Sequence, residues 1–233
     1  MTAVVAIHQP NYFPWLGYFD KIRQCDFFVF LDDVQFSKGS YTNRVQIAGE
    51  AGPRWMTIPL QAAHGSKICE LRPAVDDWHS RHLSLLKNTY KNRPHFKEVF
   101  RTIEKLMEAC ASESGDLAAI NMTLVQQISE RLGLSAQFDR SSRFDLMSAA
   151  DDRLVEIVRR IAPNGVYLSG KGGGSYQDEA KFKAAGLTLT YSRFSAGRYA
   201  QPHAALYGLS VLDALFNVGW DATSRLLKGG SVA

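Results

Sequence analysis

The chain has 233 residues, of which 45% are hydrophobic and 21% are charged, and its formal net charge is +4. This length suits one domain with a substantial core, and the composition excludes a disordered, collagen-like or highly charged chain. Cys25, Cys69 and Cys110 have no CxxC spacing, which argues against a disulfide scaffold and a cysteine-rich zinc site. We find no signal-peptide pattern and no apolar run of about 18 residues, so we expect a cytoplasmic protein that does not insert into a membrane.

The first part of the chain predicts two parallel strands joined by a helix. Residues 3–7 and 27–31 are continuous apolar runs of the kind found in buried strands. Between them, a loop with two prolines at residues 8–14 precedes an amphipathic segment at residues 15–22. A strand, loop, helix and strand within about 30 residues indicate a βαβ unit with a parallel strand pair.

The remaining segments extend this pattern. Further strand candidates are residues 44–47, 55–60, 68–71 (the weakest), 166–168 and 187–191. Helical periodicity predicts three helices between about 77 and 135, and further helices at 151–161 and 176–185. We therefore predict one α/β domain over residues 1–233, with a mainly parallel sheet built from strand–loop–helix–strand units. The helical middle region, about 77–135, is an insertion or a lid over the α/β part.

Three loops that follow predicted strands carry the candidate chemistry, because parallel sheets bind ligands at the carboxyl ends of their strands. His8 follows the first strand, Asp32 and Asp33 follow the second, and a glycine-rich loop at 169–175 follows the strand at 166–168. We predict that His8 is a general base, since imidazole titrates near neutral pH, and that Asp32 or Asp33 orients it. The alternatives are a histidine that only packs at the edge of the core, and aspartates that cap a turn or helix.

Other polar residues are candidates for ligand binding. The glycine-rich loop, with Lys171, suits an anion, although it matches neither the Walker nor the GxGxxG pattern, and a turn without a ligand is the alternative. Lys38, Asn43 and Arg44 suit a phosphate or carboxylate, or form a solvated loop. The predicted substrate-binding residues are Gln9, Asn11, Tyr12, Gln35, Lys38, Asn43, Arg44, Ser169, Gly170, Lys171 and Gly173. His79 and His82 lack a third ligand nearby in the sequence, so we expect no metal.

Several motifs of this sequence resemble those of the WbqC-like family. They are HQPNYFPWLGYFDKI at 8–22, LDDVQF at 31–36 with Lys38 and Asn43-Arg44, WMTIPL at 55–60, YLSG at 167–170 with Gly173 and Tyr176, and LSVLDALFN at 209–217. The resemblance spans nearly the whole chain. It implies a place in the biosynthesis of O-antigen or other surface glycans, because family members occur in such gene clusters, and a glycine or aminoacyl transferase role. It transfers no catalytic residue, so the candidate site depends on the loops described above.

We therefore expect an N-acyl or aminoacyl transferase that acts on an amino sugar, nucleotide-linked, in the synthesis of lipopolysaccharide O-antigen or another surface glycan. The sequence does not identify the acyl donor, which is a coenzyme A thioester, a carrier-protein thioester or an acyl-adenylate. An acyl carrier protein is a partner in the second case, and we expect no nucleic-acid partner. The alternatives are a nucleotidyltransferase-like enzyme, although the HxGH pair usual in those folds is absent here, and a non-enzymatic scaffold for glycan assembly.

Overall fold

A five-stranded parallel sheet forms the centre of the protein in a computed structural model that describes residues 2–113, 115–195, 199, 201 and 208–229. Its strands are β1 (Val4–His8), β2 (Phe27–Phe30), β5 (Gln137–Arg140), β6 (Val166–Ser169) and β7 (Thr188–Tyr191). Their order across the sheet is β5-β2-β1-β6-β7, and each neighbouring pair is parallel. A separate antiparallel hairpin consists of β3 (Arg44–Ile47) and β4 (Arg54–Thr57). This architecture confirms the predicted α/β fold.

Helices cover both faces of the sheet. They are α1 (Leu16–Arg23), α2 (Trp78–Tyr90), α3 (Phe96–Ser112), α4 (Leu117–Arg131), α5 (Ala150–Ile161), α6 (Glu179–Ala184) and α7 (Val211–Leu227). Alternate strand residues supply the two cores, as the two-residue period of a strand requires. In β2, Phe28 and Phe30 pack in the larger core with residues of α1–α4 and α7, whereas Val29 packs in the smaller core with residues of α5 and α6.

The helical middle region therefore shares the main hydrophobic core. Leu86 of α2, Ile103 of α3 and Leu124 of α4 are all fully buried and belong to the same cluster as Phe28 of the sheet. Burying such side chains contributes about 1.5–3 kcal/mol each, so these helices are a structural part of the α/β fold. A movement of this region as a lid stays a prediction.

Several elements differ from the sequence-based expectations. Residues 68–71 do not form a strand: Ile68–Glu70 is a 3₁₀ turn in which the Glu70 carboxylate accepts a hydrogen bond from the Lys67 amide at 2.9 Å. The glycine-rich loop is also a 3₁₀ turn (Lys171–Ser175), and α6 begins only at Glu179, where Asp178 caps it by accepting from the Ala180 amide. The elements β5 and α7 were not predicted.

The chain leaves β1 and β6 in opposite directions, which creates a topological switch point. From β1 it crosses to β2 through α1, whose apolar residues lie in the larger core. From β6 it crosses to β7 on the other side of the sheet through α6, whose Phe182 lies in the smaller core. The crevice between the carboxyl ends of β1 and β6 is where open parallel sheets bind ligands.

Candidate active site

A pocket of about 330 Å³ lies at the switch point between β1 and β6. We call it the switch pocket. It is lined by Ile7, His8, Gln9, Lys21, Leu31, Leu154, Tyr167, Ser169, Gly170, Gly172, Gly173, Tyr176 and Gln177. The structure thus brings five predicted site residues together in one pocket: His8, Gln9, Ser169, Gly170 and Gly173.

His8 ends β1 and presents a neutral imidazole to this pocket. Its Nδ1 lies 3.1 Å from the carbonyl oxygen of Gln9. A carbonyl only accepts hydrogen bonds, so Nδ1 carries the proton and Nε2 holds the free lone pair. Burial, together with the positive charge of Lys21, lowers the pKa of His8 to about 3, while the bond to Gln9 acts in the opposite direction. The ring of Tyr18 fixes the imidazole edge-on, with the ring centroids 4.7 Å apart.

Lys21 is a polar residue of this pocket that the sequence analysis did not predict, as is Gln177. It is 3% exposed, and its Nζ donates a hydrogen bond to the carbonyl oxygen of Ile7 at 2.8 Å. Burial lowers its pKa to about 8, which places its titration close to neutral pH. Among the described residues no carboxylate pairs with Lys21, since its neighbour Asp20 binds Arg23 instead.

The residue spacing in α1 indicates that Lys21 is buried. This residue is three positions after Tyr18 and four before Cys25, so it lies on the buried face of an amphipathic helix. A lysine at such a position loses its hydration when the helix packs, which costs free energy. Buried charged side chains of this kind are concentrated at functional sites.

The glycine run forms one wall of the switch pocket. Gly173 has no space for a side chain, because an added Cβ would lie 2.2 Å from Ser169 Oγ and 2.5 Å from Gln177 Oε1. The Gly173 amide donates to the Gly170 carbonyl at 2.9 Å, so this amide is not free for an anion in this conformation. Lys171 is exposed and lies outside the residues that line the pocket.

Gln177 adds an acceptor to the same wall. Its Oε1 is buried and has no hydrogen-bond partner within the described residues. A buried acceptor without a partner is costly, and a bound hydroxyl, amide or ammonium group would satisfy it. Lys21 thus gives the pocket a positively charged hydrogen-bond donor, and Gln177 gives it an acceptor for a substrate N–H or O–H group.

The two aspartates predicted to orient His8 are engaged with other residues. Asp32 is fully buried and accepts hydrogen bonds from the Ser142 amide at 2.9 Å and from the Ser142 hydroxyl at 2.7 Å. Asp33 pairs with Arg153 and also accepts from the Ser141 hydroxyl. Burial alone would raise the pKa of Asp33, but the Ser141 hydroxyl and the Arg153 guanidinium lower it overall. Both carboxylates therefore connect β2 to the segment after β5, and they do not orient His8.

The other predicted binding residues near β3 line a second pocket. This cavity of about 900 Å³ lies beside the β3–β4 hairpin, and we call it the hairpin pocket. Gln35, Lys38, Asn43 and Arg44 line it, as does His64. The side-chain amide of Asn43 donates to the Ile58 carbonyl at 2.9 Å, which joins the segment before β3 to the residue that follows β4. The single predicted site is thus two pockets.

Tyr12 and Asn11 occupy other positions. Tyr12 is fully buried, and its hydroxyl donates to Nδ1 of His82 at 2.8 Å, so it is a core residue that does not line the site it was predicted to form. Nε2 of His82 lies 3.0 Å from the Thr57 carbonyl, and burial lowers the pKa of His82 to about 4. Asn11 is half-buried and outside the residues that line either pocket.

Among the residues that the structure describes, no three His, Cys, Asp or Glu side chains come together in a way that could hold a metal ion. Likewise, none of their helices is long and apolar enough to cross a membrane.

Comparisons with known proteins agree with the family resemblance of the sequence motifs. A sequence profile of the WbqC-like protein family matches residues 9–225. The chain is 32% identical to the uncharacterised protein Rv1507c of Mycobacterium tuberculosis (strain ATCC 25618 / H37Rv) over 230 residues, which are 95% of this chain and 96% of that protein. No solved structure matches the chain. Because the profile covers nearly all of the chain, this protein belongs to the WbqC-like family, as its motifs predicted.

Proposed function

We propose that this protein is a cytoplasmic N-acyl or aminoacyl transferase that acts on an amino sugar, nucleotide-linked, in the biosynthesis of O-antigen or another surface glycan. The observation that supports it best is the pairing of a neutral imidazole, His8, with a buried lysine, Lys21, in the pocket at the switch point. The glycan context comes from the family resemblance. The reaction class comes from the chemistry that these two side chains suit.

Acyl transfer to an amine needs a proton acceptor and a stabiliser of negative charge. In this proposal, Nε2 of His8 accepts the proton that the attacking nitrogen loses. Lys21 then stabilises the negative charge that develops on the acyl carbonyl oxygen, and Gln177 Oε1 accepts a hydrogen bond from the sugar. The carbon–nitrogen bond forms as the bond from the acyl carbon to its leaving group breaks, and the leaving group departs with the electron pair.

The low pKa of His8 in the free protein fits a base that is activated by its substrate. The charge of Lys21 is one of the causes of that low pKa. The negative charge that develops on the acyl oxygen beside Lys21 offsets this positive charge, so the pKa of His8 rises as the acyl group is attacked. The base then becomes stronger only in the complex, which limits unproductive proton transfer in the free protein.

A product assay tests this proposal. The protein is incubated with a panel of nucleotide-linked amino sugars and with coenzyme A thioesters, carrier-protein thioesters or acyl-adenylates, and the products are identified by mass spectrometry. We expect a mass increase on the amino sugar that corresponds to one acyl or aminoacyl group. Release of diphosphate from a nucleoside triphosphate without an acylated product would contradict the proposal in favour of a nucleotidyltransferase. Absence of any product with all donors would contradict it in favour of a scaffold.

A further inference from the structure

The hairpin pocket has a strongly one-sided charge. It lies between the loop at residues 35–44 and the loop at residues 59–65, which are joined where the Phe36 amide donates to the Ser66 carbonyl at 2.9 Å. Its lining includes two cations, Lys38 and Arg44, and the imidazole of His64. Within the described part of the chain, no aspartate or glutamate lines it. A cavity with this lining attracts anions and repels cations.

Arg44 is the fixed element of this pocket. Its Nη2 donates a hydrogen bond to the Gly39 carbonyl, and its guanidinium carbon lies 4.0 Å from the centroid of the Trp55 ring. The Trp55 ring thus covers one face of the planar guanidinium, and the Gly39 carbonyl holds its Nη2 end. Its Nε is buried and has no hydrogen-bond partner among the described residues. A buried N–H without a partner is costly, and an anionic ligand that reached this N–H would satisfy it.

The turn before β3 has the shape that this arrangement needs. Gly39 adopts φ +84°, a conformation that favours glycine, and an added Cβ would lie 3.2 Å from Arg44 Nη2. Glycine therefore allows both the turn and the close approach of the guanidinium. The backbone of this turn thus leaves room for the Arg44 guanidinium beside the Gly39 carbonyl.

We propose that the hairpin pocket binds a phosphate group through Arg44 and Lys38, and that this phosphate belongs to the acyl donor. A guanidinium presents paired N–H donors that match phosphate oxygens, and the lysine adds a second charge. Coenzyme A, the prosthetic group of an acyl carrier protein and an acyl-adenylate all contain a phosphate ester. The phosphate site follows from the contacts of Arg44, whereas its assignment to the donor rests on the proposed transferase function.

The two pockets are connected through the core. Asn121 of α4 donates to the carbonyl oxygens of Pro10, at 2.9 Å, and of Thr42, at 2.7 Å. The Thr42 hydroxyl also lies 3.5 Å from Oε1 of Gln9, which lines the switch pocket, while the next residue, Asn43, lines the hairpin pocket. Asn121 and Thr42 are fully buried, so the loop after β1 and the segment just before β3 are held in a fixed relation. A donor anchored by its phosphate in one pocket would keep a defined position relative to His8 in the other.

The test measures binding of inorganic diphosphate by calorimetry and by the fluorescence of Trp55 at constant ionic strength, so it needs no turnover. Trp55→Phe identifies the part of the fluorescence change that comes from this pocket. We expect Arg44→Gln to weaken diphosphate binding by roughly 10-fold or more, because a charge-assisted hydrogen bond is lost. Lys38→Gln, at an exposed position where the fold tolerates the change, should weaken it less. Arg54→Gln removes the same charge from an exposed position on the same hairpin and should leave the affinity unchanged.

Each outcome decides a part of the proposal. Wild-type diphosphate affinity in both Arg44→Gln and Lys38→Gln, or an equal loss in Arg54→Gln, would overturn the phosphate site. For the source of the phosphate, coenzyme A and uridine diphosphate compete separately for the Trp55 signal. Tighter competition by coenzyme A supports a donor site, and tighter competition by uridine diphosphate overturns that assignment. Binding at the hairpin pocket without any acyl transfer would retain the phosphate site and contradict only the proposed function.

Discussion

Nζ of Lys21 donates a hydrogen bond to the carbonyl oxygen of Ile7 at 2.8 Å, and this places a buried positive charge one residue from His8. The contact joins the first helix to the carboxyl end of the first strand. The ionisation of Lys21 and that of His8 are coupled, because the charge of Lys21 lowers the pKa of His8. The chemistry of the switch pocket therefore depends on two residues and not on the histidine alone.

Removal of the lysine charge should raise the pKa of His8. In Lys21→Met the imidazole remains buried but loses a nearby positive charge, so its pKa should move from about 3 toward the ordinary value of 6.5. A titration of the imidazole nitrogens by ¹⁵N NMR measures this directly. Lys91→Met, at an exposed position after α2, is the control and should leave His8 unaffected. An unchanged or lower pKa in Lys21→Met would refute the coupling.

The stability of the protein should rise with pH in the range where Lys21 titrates. Its folded-state pKa is about 8 against an ordinary value of 10.5, so the unfolded chain holds more protons between these values. The free energy of unfolding then increases with pH across this window, by up to about 3 kcal/mol relative to Lys21→Met. Denaturant unfolding of both proteins at pH 7, 8, 9 and 10 tests this. A difference between them that does not vary with pH would contradict it.

The sequence predicted the central strands because they are buried on both faces, and apolar runs such as Phe27–Phe30 signal this directly. It did not predict β5, since Gln137–Arg140 is a polar strand at the edge of the sheet without a continuous apolar run. It placed His8 and the glycine run correctly at strand ends. The division into two pockets depends on long-range contacts, such as that of Asn121 with Pro10 and Thr42, which no local pattern reveals.

Gly173 should be intolerant of any side chain, in contrast to its neighbour. In Gly173→Ala the new methyl group collides with Ser169 and Gln177. The shifts that such overpacking forces should lower the free energy of unfolding by about 1–3 kcal/mol. An added Cβ at Gly172 meets nothing within 4 Å, so Gly172→Ala should have nearly the wild-type melting temperature. Equal melting temperatures for the two variants would show that the Gly173 contacts do not constrain the pocket wall.

Asp33 should stabilise the fold and should not affect the pKa of His8. Asp33→Asn breaks an ion pair with Arg153 whose side chains are only 13% and 10% exposed, so we expect a loss of about 3 kcal/mol. Asp139→Asn breaks the more exposed pair with Arg143 and should cost less than about 1 kcal/mol.

The pH dependence of the Asp33 contribution has a defined sign. Because its pKa is lowered from 3.8, the stabilisation is present above that value and is lost as the pH falls through the lower folded-state pKa. Chemical unfolding at pH 7 and pH 3 measures it. A changed His8 pKa in Asp33→Asn would instead support the aspartate–histidine pairing that the sequence suggested.

The turnover of His8→Ala is the most direct test of the central claim, that acyl transfer takes place in the switch pocket. With the donor and acceptor identified in the product assay, formation of the acylated sugar should fall by roughly 100-fold or more, while the melting temperature stays within a few degrees of the wild type. His79→Ala, a half-buried histidine near the start of α2 that lines neither pocket, should retain wild-type turnover. Wild-type turnover in His8→Ala, or a loss only in proportion to the unfolded fraction, would contradict the claim.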